Sequence, residues 1–151
     1  MESCSAIFFM KSLLNADMIV VGPGSLYTSL LPNLLVNDLL GAVQASRAVK
    51  VYVCNIATQA GETELYSCYD HVRALEEHVG DHVFDVILCN ENYAGQLMHG
   101  SQWVRTDEKT MADSRVRCAD LIDANQPWRH DSSKLALALS TVLDEYTGPL
   151  E

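Results

Sequence analysis

The sequence predicts an α/β fold, a mostly parallel sheet covered by helices, and three observations carry that prediction. Short apolar runs rich in β-branched residues recur at residues 17–22, 49–56 and 84–90. A polar loop follows each run. Between and after them, apolar residues take helical spacing. Parallel strands are buried on both faces and read as near-continuous apolar runs. Strands alternating with helices give βαβ units with right-handed crossovers.

The elements follow in order. Ile7, Met10, Lys11 and Leu14 have helical spacing, so a short helix is expected over 5–15. Asp17-Met18-Ile19-Val20-Val21-Gly22 reads as a buried strand entering a Gly-Pro-Gly turn. Ser25 to Ser29 offer caps for a following helix. Pro32 restricts the backbone at Leu31 and predicts a break there. Leu34, Leu35, Asp38, Leu39, Ala42 and Val43 then suit a helix running to about Ser46. Residues 49–56 read as a central strand. After the polar loop 57–64 comes a well-marked helix, with Asp70 as N-cap, Val72, Leu75 and Val79 on its buried face, and Gly80 at its end. Residues 84–90 form the third strand. Residues 91–115 are polar and irregular, and 116–122 suit a short strand. Ser132 to Tyr146 form a last amphipathic helix buried through Leu135, Leu139, Val142, Leu143 and Tyr146.

The 151 residues fit one domain, and a hydrophobic fraction of 48% is enough to build a core. Twenty acidic against ten basic residues leave a net charge of -10. Such a chain repels phosphate backbones, and its Lys and Arg are scattered, so no nucleic-acid partner is expected. A small anion remains compatible, because a few backbone N–H groups hold one phosphate whatever the net charge. The five cysteines are odd in number and contain no C-x-x-C, which suggests neither a disulfide framework nor a zinc site. Cys54 and Cys89 lie in apolar runs and read as small core residues. The apolar patch at 6–10 has Glu2 before it and Lys11 after it, the reverse of a signal peptide. No apolar run nears the ~18 residues of a membrane span. A reducing, cytoplasmic location and no membrane partner are expected.

Ligands of a parallel sheet bind beyond the carboxyl ends of its strands. The loop Gly22-Pro23-Gly24-Ser25-Leu26-Tyr27-Thr28-Ser29 occupies the first such end and is the expected functional centre. Its glycines let backbone approach a ligand, and Ser25, Thr28 and Ser29 bring hydroxyls to a helix N-terminus that favours anions. The same residues also make a well-capped turn. The loop is not a G-x-x-x-x-G-K-[ST] motif, and no lysine lies near it. The second loop carries Asn55, Thr58, Gln59, Glu62 and Thr63, whose amides and hydroxyls can read a sugar or a base edge. A solvated loop has this composition too. Arg129 offers a fork that matches phosphate oxygens, and Asp131, Ser132 or Ser133 caps the last helix. His71, His78 and His82 match no zinc spacing and read as surface or capping residues. Trp103 and Trp128 read as packing residues. No Ser-His-Asp or Cys-His arrangement stands out.

The loops together say more than each alone. The stretch 16–29, Leu31-Pro32-Asn33-Leu34-Leu35-Val36, Lys50 to Asn55, Thr58-Gln59, Gly61-Glu62-Thr63, Asp70-His71-Val72 and Arg129-His130-Asp131 resemble the CofD-like superfamily, most closely its gluconeogenesis factor branch. The match is dense over 16–90 and thin elsewhere. Ala57 and Ala60 depart from it, standing where Met and Pro are expected.

The resemblance implies a Rossmann-like three-layer α/β/α fold with a nucleotide-type ligand at the strand ends. One branch is the 2-phospho-L-lactate transferase, which moves a phospholactyl group from a guanosine diphospho-lactate donor to a deazaflavin with Mg²⁺. The other is linked to carbon metabolism and cell shape and binds a UDP-sugar. The Thr58-to-Thr63 loop looks like the second branch. By resemblance the ligand-binding residues are Gly22, Gly24, Ser25, Leu26, Tyr27, Thr28 and Asn33, then Asn55, Thr58, Gln59, Gly61, Glu62 and Thr63, then Asp70, His71 and Arg129. No catalytic residue and no metal ligand is assigned, and Mg²⁺ enters only with the transferase. Family members are about twice as long and begin with a strand and a Gly-rich phosphate loop that nothing here matches. The chain therefore resembles a C-terminal portion without that unit, a single partial domain. That expectation makes binding safer than turnover, favours a homo-oligomer, and leaves open a non-catalytic remnant or assembly module.

Overall fold

Four strands lie side by side in chain order: β1 (Met18–Val21), β2 (Val49–Val53), β3 (Val86–Asn90) and β4 (Val116–Ala119). Every neighbouring pair is parallel, with Val20 opposite Val51, Tyr52 opposite Ile87 and Cys89 opposite Cys118. The computed structural model describes residues 4–148, so the charge at Glu2 invoked for the amino end lies outside the described residues. The predicted α/β fold and its parallel sheet are observed.

Side-chain alternation along the strands separates two cores. Ile19, Val21, Tyr52, Cys54, Ile87 and Cys89 face one side. They pack with Leu31 and Leu34 of α2 (Leu31–Leu34), Val43 of α3 (Asn37–Ala45), and Val72, Leu75 and Val79 of α4 (Cys68–Val79). Val49, Val51, Val53, Val86 and Leu88 face the other side, under α6 (Ser132–Thr147). The result is helix, sheet, helix. α1 (Cys4–Leu14) packs on α3, and a short α5 (Glu108–Met111) breaks the 91–115 segment. No described helix is long and apolar enough to cross a membrane.

Several local expectations are corrected. β1 is an edge strand and only half buried: Val20 is 39% exposed while Ile19 and Val21 are buried. Pro32 does not break the chain. A π-helical turn, Leu26–Leu30, runs directly into α2, and Pro32 sits in that helix's first turn, where its missing N–H costs nothing. The break falls at Leu35–Val36 instead. Asp70 is not the N-cap of α4. Ser67 is, with Asp70 three residues on returning the bond to the Ser67 N–H, a reciprocal capping box. Tyr146 leaves the α6 stripe and is half exposed. Cys68 at the start of α4 and Cys89 of β3 bring their sulfurs into contact.

One buried ion network ties the sheet to α4. Arg115, just before β4, donates to Glu76 at 2.6 Å and to Asp113 at 2.7 Å, and also reaches the Phe84 carbonyl. Glu76 is buried, and that guanidinium is its ion-pair partner.

Candidate functional site

Three loops meet above the carboxyl ends of β1, β2 and β3. The first turns at Gly22, where φ is +84° and an added Cβ would stand 2.7 Å from the Val53 carbonyl oxygen. Only glycine fits there. The turn delivers Gly24 to Asn55 at the end of β2. Asn55 accepts from the Gly24 N–H at 3.1 Å and donates to the Gly24 carbonyl at 3.0 Å. Ser25 then donates to Glu62 at 2.7 Å and also touches the Thr28 hydroxyl.

The second loop is held by its own polar groups and by the 96–105 segment. Thr58 is buried, with its N–H on the Gln102 carbonyl and its hydroxyl accepting the Gln102 N–H. Thr63 is fully buried and accepts the Gln59 N–H at 2.9 Å. An antiparallel bridge between Ala57 and Trp103 lays the 96–105 segment alongside this loop.

The third wall comes from 120–132. Asn90 ends β3 and is buried; its side chain accepts the Leu121 N–H at 3.1 Å. Ile122 and His130 form a second antiparallel bridge, which folds Arg129 and His130 back over the strand ends. Arg129 donates to Gln126 at 3.3 Å, and no carboxylate among the described residues pairs with it. Burial pushes the His130 imidazole below its ordinary pKa, partly opposed by the Cys54 backbone, and its Nε2 has no hydrogen-bond partner. Burial drives the neighbouring Cys54 thiol up to about 12, which makes it an inert core thiol.

Between these loops lies a cleft of about 560 Å³. Gly24, Ser25, Asn55, Thr58, Gln59 and Arg129, all expected from the sequence, line it together. Trp128, His130, Met98, Ser101 and Ser132 line it too and were not expected to. Trp128, read as a packing residue, is 37% exposed at the cleft. Its neighbour Arg129 was the available signal. The lining contains no Asp or Glu, although the chain has twenty. A cleft with one arginine, hydroxyls, amides, an indole and no carboxylate can hold a phosphorylated, hydroxyl-rich ligand.

The other expected residues have structural partners away from the cleft wall. Leu26 is core. The Tyr27 hydroxyl pairs with Tyr66 at 2.8 Å, a bond that helps raise its pKa to about 12. Thr28 meets Ser25, and Asn33 donates to the Ser29 carbonyl. Gly61 is exposed at φ +80°, and Glu62 reaches the cleft only through Ser25. Asp70 closes the capping box. His71 is wholly buried, its Nδ1 2.9 Å from the Ser67 carbonyl and its Nε2 without a partner.

Magnesium wants oxygen ligands and is usually held by one or two carboxylates plus phosphates. The cleft lining supplies no carboxylate, and the described residues contain no group of three His, Cys, Asp or Glu that could hold a metal ion. The residues present do not fit a protein-held Mg²⁺.

Comparison with known proteins agrees with this architecture. The family model of the 2-phospho-L-lactate transferase CofD matches residues 8–124. The gluconeogenesis factor of Bacillus subtilis is 41% identical over 139 residues, which is 86% of this chain and 44% of that protein. The gluconeogenesis factor of Listeria monocytogenes is 51% identical over 81 residues, 54% of this chain and 25% of that one. A crystal structure from Bacillus halodurans superposes with a TM-score of 0.80 at 34% identity, covering 88% of this chain and 46% of that chain. The chain thus spans between a quarter and about half the length of the relatives it matches. By the matched model, the shared sequence and the shared sheet, the chain belongs to the CofD-like family, together with the gluconeogenesis factors.

Proposed function

We propose that this chain is a nucleotide-sugar-binding protein of the UDP-sugar type, with a regulatory role in carbon metabolism and cell shape. The observation that carries the reading is the cleft at the strand ends, lined by Arg129 together with Gly24 and Ser25 and by no carboxylate among the described residues. Arg129 takes the diphosphate, Ser25 and Gln59 take hydroxyls or amide edges, and the exposed face of Trp128 takes an apolar ring face. The name of the Bacillus subtilis relative, a gluconeogenesis factor, supports the metabolic side.

Calorimetry with UDP-sugars tests it. Arg129→Ala is expected to abolish the heat, and Tyr27→Ala, whose hydroxyl is engaged by Tyr66, is expected to leave it. Absence of heat from folded protein at millimolar ligand removes the reading.

A transferase reading is supported by the matched family model, that of a 2-phospho-L-lactate transferase. Phosphoryl-type transfer needs an in-line approach and charge neutralisation, normally by Mg²⁺. The lack of a carboxylate in the cleft favours binding over turnover. Incubation with an activated phospholactyl donor and a deazaflavin, read by mass, decides between them.

Self-association belongs to the same proposal. Ile7, Phe8, Phe9 and Leu14 of α1 are exposed, as is Val20 on the open edge of β1. An exposed apolar helix face and an unpaired strand edge each favour contact with a second copy. Light scattering is expected to give twice the chain mass, with Phe8→Asp reverting it to one copy; a monomer at high micromolar concentration rejects this.

A further inference from the structure

The 96–105 segment has a cleft on each side. It is tied down by the Ala57–Trp103 bridge, by the Val104 N–H on the Ile56 carbonyl at 2.9 Å, and by the Arg105 carbonyl accepting the Cys68 N–H at 2.9 Å. One side is the cleft described above. The other is larger, about 700 Å³, and lies against residues 65–67 at the entry to α4. Ser101 lines both.

This second cleft has its own recognition chemistry. Tyr66, Leu97 and Trp103 supply apolar and aromatic wall, Gln96 and Gln102 supply amides, and Arg105 supplies the charge. No Asp or Glu lines it, in a chain with twice as many acids as bases. Arg105 forms no ion pair among the described residues. Its guanidinium lies 4.5 Å over the Tyr93 ring, a contact that uses none of its N–H donors, and its side chain makes no hydrogen bond among the described residues. Trp103 packs edge-on against Tyr93, and Tyr66 edge-on against His71, so both aromatic walls are braced from behind. At the rim, Leu65 holds a left-handed backbone, φ +65°, and leaves its side chain 80% exposed. A large apolar side chain presented to solvent from an unfavourable backbone is a feature that functional sites accumulate.

We propose that this cleft is a second small-molecule site, for a planar aromatic ligand carrying a phosphate or carboxylate. The ring lies against Trp103 and Tyr66, and the anion meets Arg105. The volume is within the range of small-ligand pockets. The site takes a molecule separate from the nucleotide-sugar proposed for the Arg129 cleft, and it stands whether or not that reading does.

The chain has two tryptophans, one in each cleft, so the indole N–H resonances report the sites separately. Trp103→Phe and Trp128→Phe assign the two peaks, and the full chain is titrated with 1-naphthyl phosphate. The Trp103 peak is expected to shift saturably. Arg105→Gln is expected to weaken binding by roughly tenfold, the scale of one charge-assisted contact, and Arg129→Gln to leave it unchanged. 1-Naphthol and inorganic phosphate, each lacking one half of the ligand, are expected to bind at least about tenfold more weakly. A Trp103 peak unmoved at millimolar probe overturns the proposal, as does an equal shift in an Arg105→Gln variant whose spectrum remains dispersed. A shift abolished by Arg129→Gln overturns it too, because the probe then occupies the first cleft. UDP-sugar followed at the Trp128 peak tests the first cleft independently.

Discussion

Asn55 and Gly24 are joined twice, side chain to backbone: the Asn55 Oδ1 accepts the Gly24 N–H at 3.1 Å and its Nδ2 donates to the Gly24 carbonyl at 3.0 Å. The pair makes two loops from different strands into one wall of the cleft. Asn55→Ala removes both bonds and is expected to cost about 1–2 kcal/mol. Asn55→Asp keeps the acceptor but turns a carboxylate oxygen toward the Gly24 carbonyl, so it should cost at least as much. Urea midpoints of the three proteins check the order. An Asp variant as stable as the parent would show that the pairing does not hold the loops together.

Gly22 and Gly61 separate two reasons for keeping glycine. Both have positive φ, +84° and +80°. At Gly22 a Cβ would meet the Val53 carbonyl at 2.7 Å, while at Gly61 nothing lies within 4 Å. Gly61→Ala carries only the left-handed penalty, about 1 kcal/mol. Gly22→Ala adds the clash and should cost about 2–3 kcal/mol. Equal thermal shifts for the two variants would contradict this placement of the first loop.

Among the described ion pairs, Arg115 is the cation that faces a buried carboxylate, Glu76. It holds Asp113 below the ordinary carboxylate pKa through their hydrogen bonds, and it donates to Glu76 at 2.6 Å. Removing one partner of a buried pair strands the other. Arg115→Met is therefore expected to destabilise by about 3 kcal/mol, and adding Glu76→Leu should recover much of that. Denaturant unfolding of the single and double variants checks it, and additive losses would reject the coupling.

What was legible in the sequence follows from which physical signals are local. β2 and β3 stood out because strands buried on both faces must be apolar throughout. α6 stood out because one stripe of a long helix meets the sheet. β1 carries the same apolar run as a central strand, yet its edge position depends on what lies beside it, which no residue in 17–22 encodes. The Pro32 error has a similar origin. A proline breaks a helix interior but suits a first turn, and the π-helical turn before it supplies that first-turn setting. Asp70 and Ser67 both have capping side chains, and only the geometry distinguishes cap from N3 partner. In the cleft, the polar loop residues were legible by type, whereas Trp128 and His130 arrive through the Ile122–His130 bridge, a long-range pairing.

His71 and His130 set the last expectation. Burial lowers both pKa values from 6.5, and each has an Nε2 without a partner. For His71, the Ser67 carbonyl beside Nδ1 fixes the neutral ring with its proton on that nitrogen. In the unfolded chain both rings regain the ordinary value of 6.5. Below that pH the unfolded state binds more protons than the folded state, so stability falls as pH falls. The histidine contribution is fully present above the unfolded value and is lost as pH drops toward the folded ones. Asp113 and Asp120, held low by Arg115 and Lys134, act in the same direction from about pH 5 downward, where the unfolded carboxyls begin to take up protons. The interval from 6.5 down to about 5 therefore isolates the histidines. Urea midpoints are expected to decline steadily across it, and His71→Gln should flatten the slope whatever its effect on absolute stability. A constant midpoint over that interval, or a His71 ring that titrates at 6.5 by NMR, would mean that the ring is not sealed in the core as described.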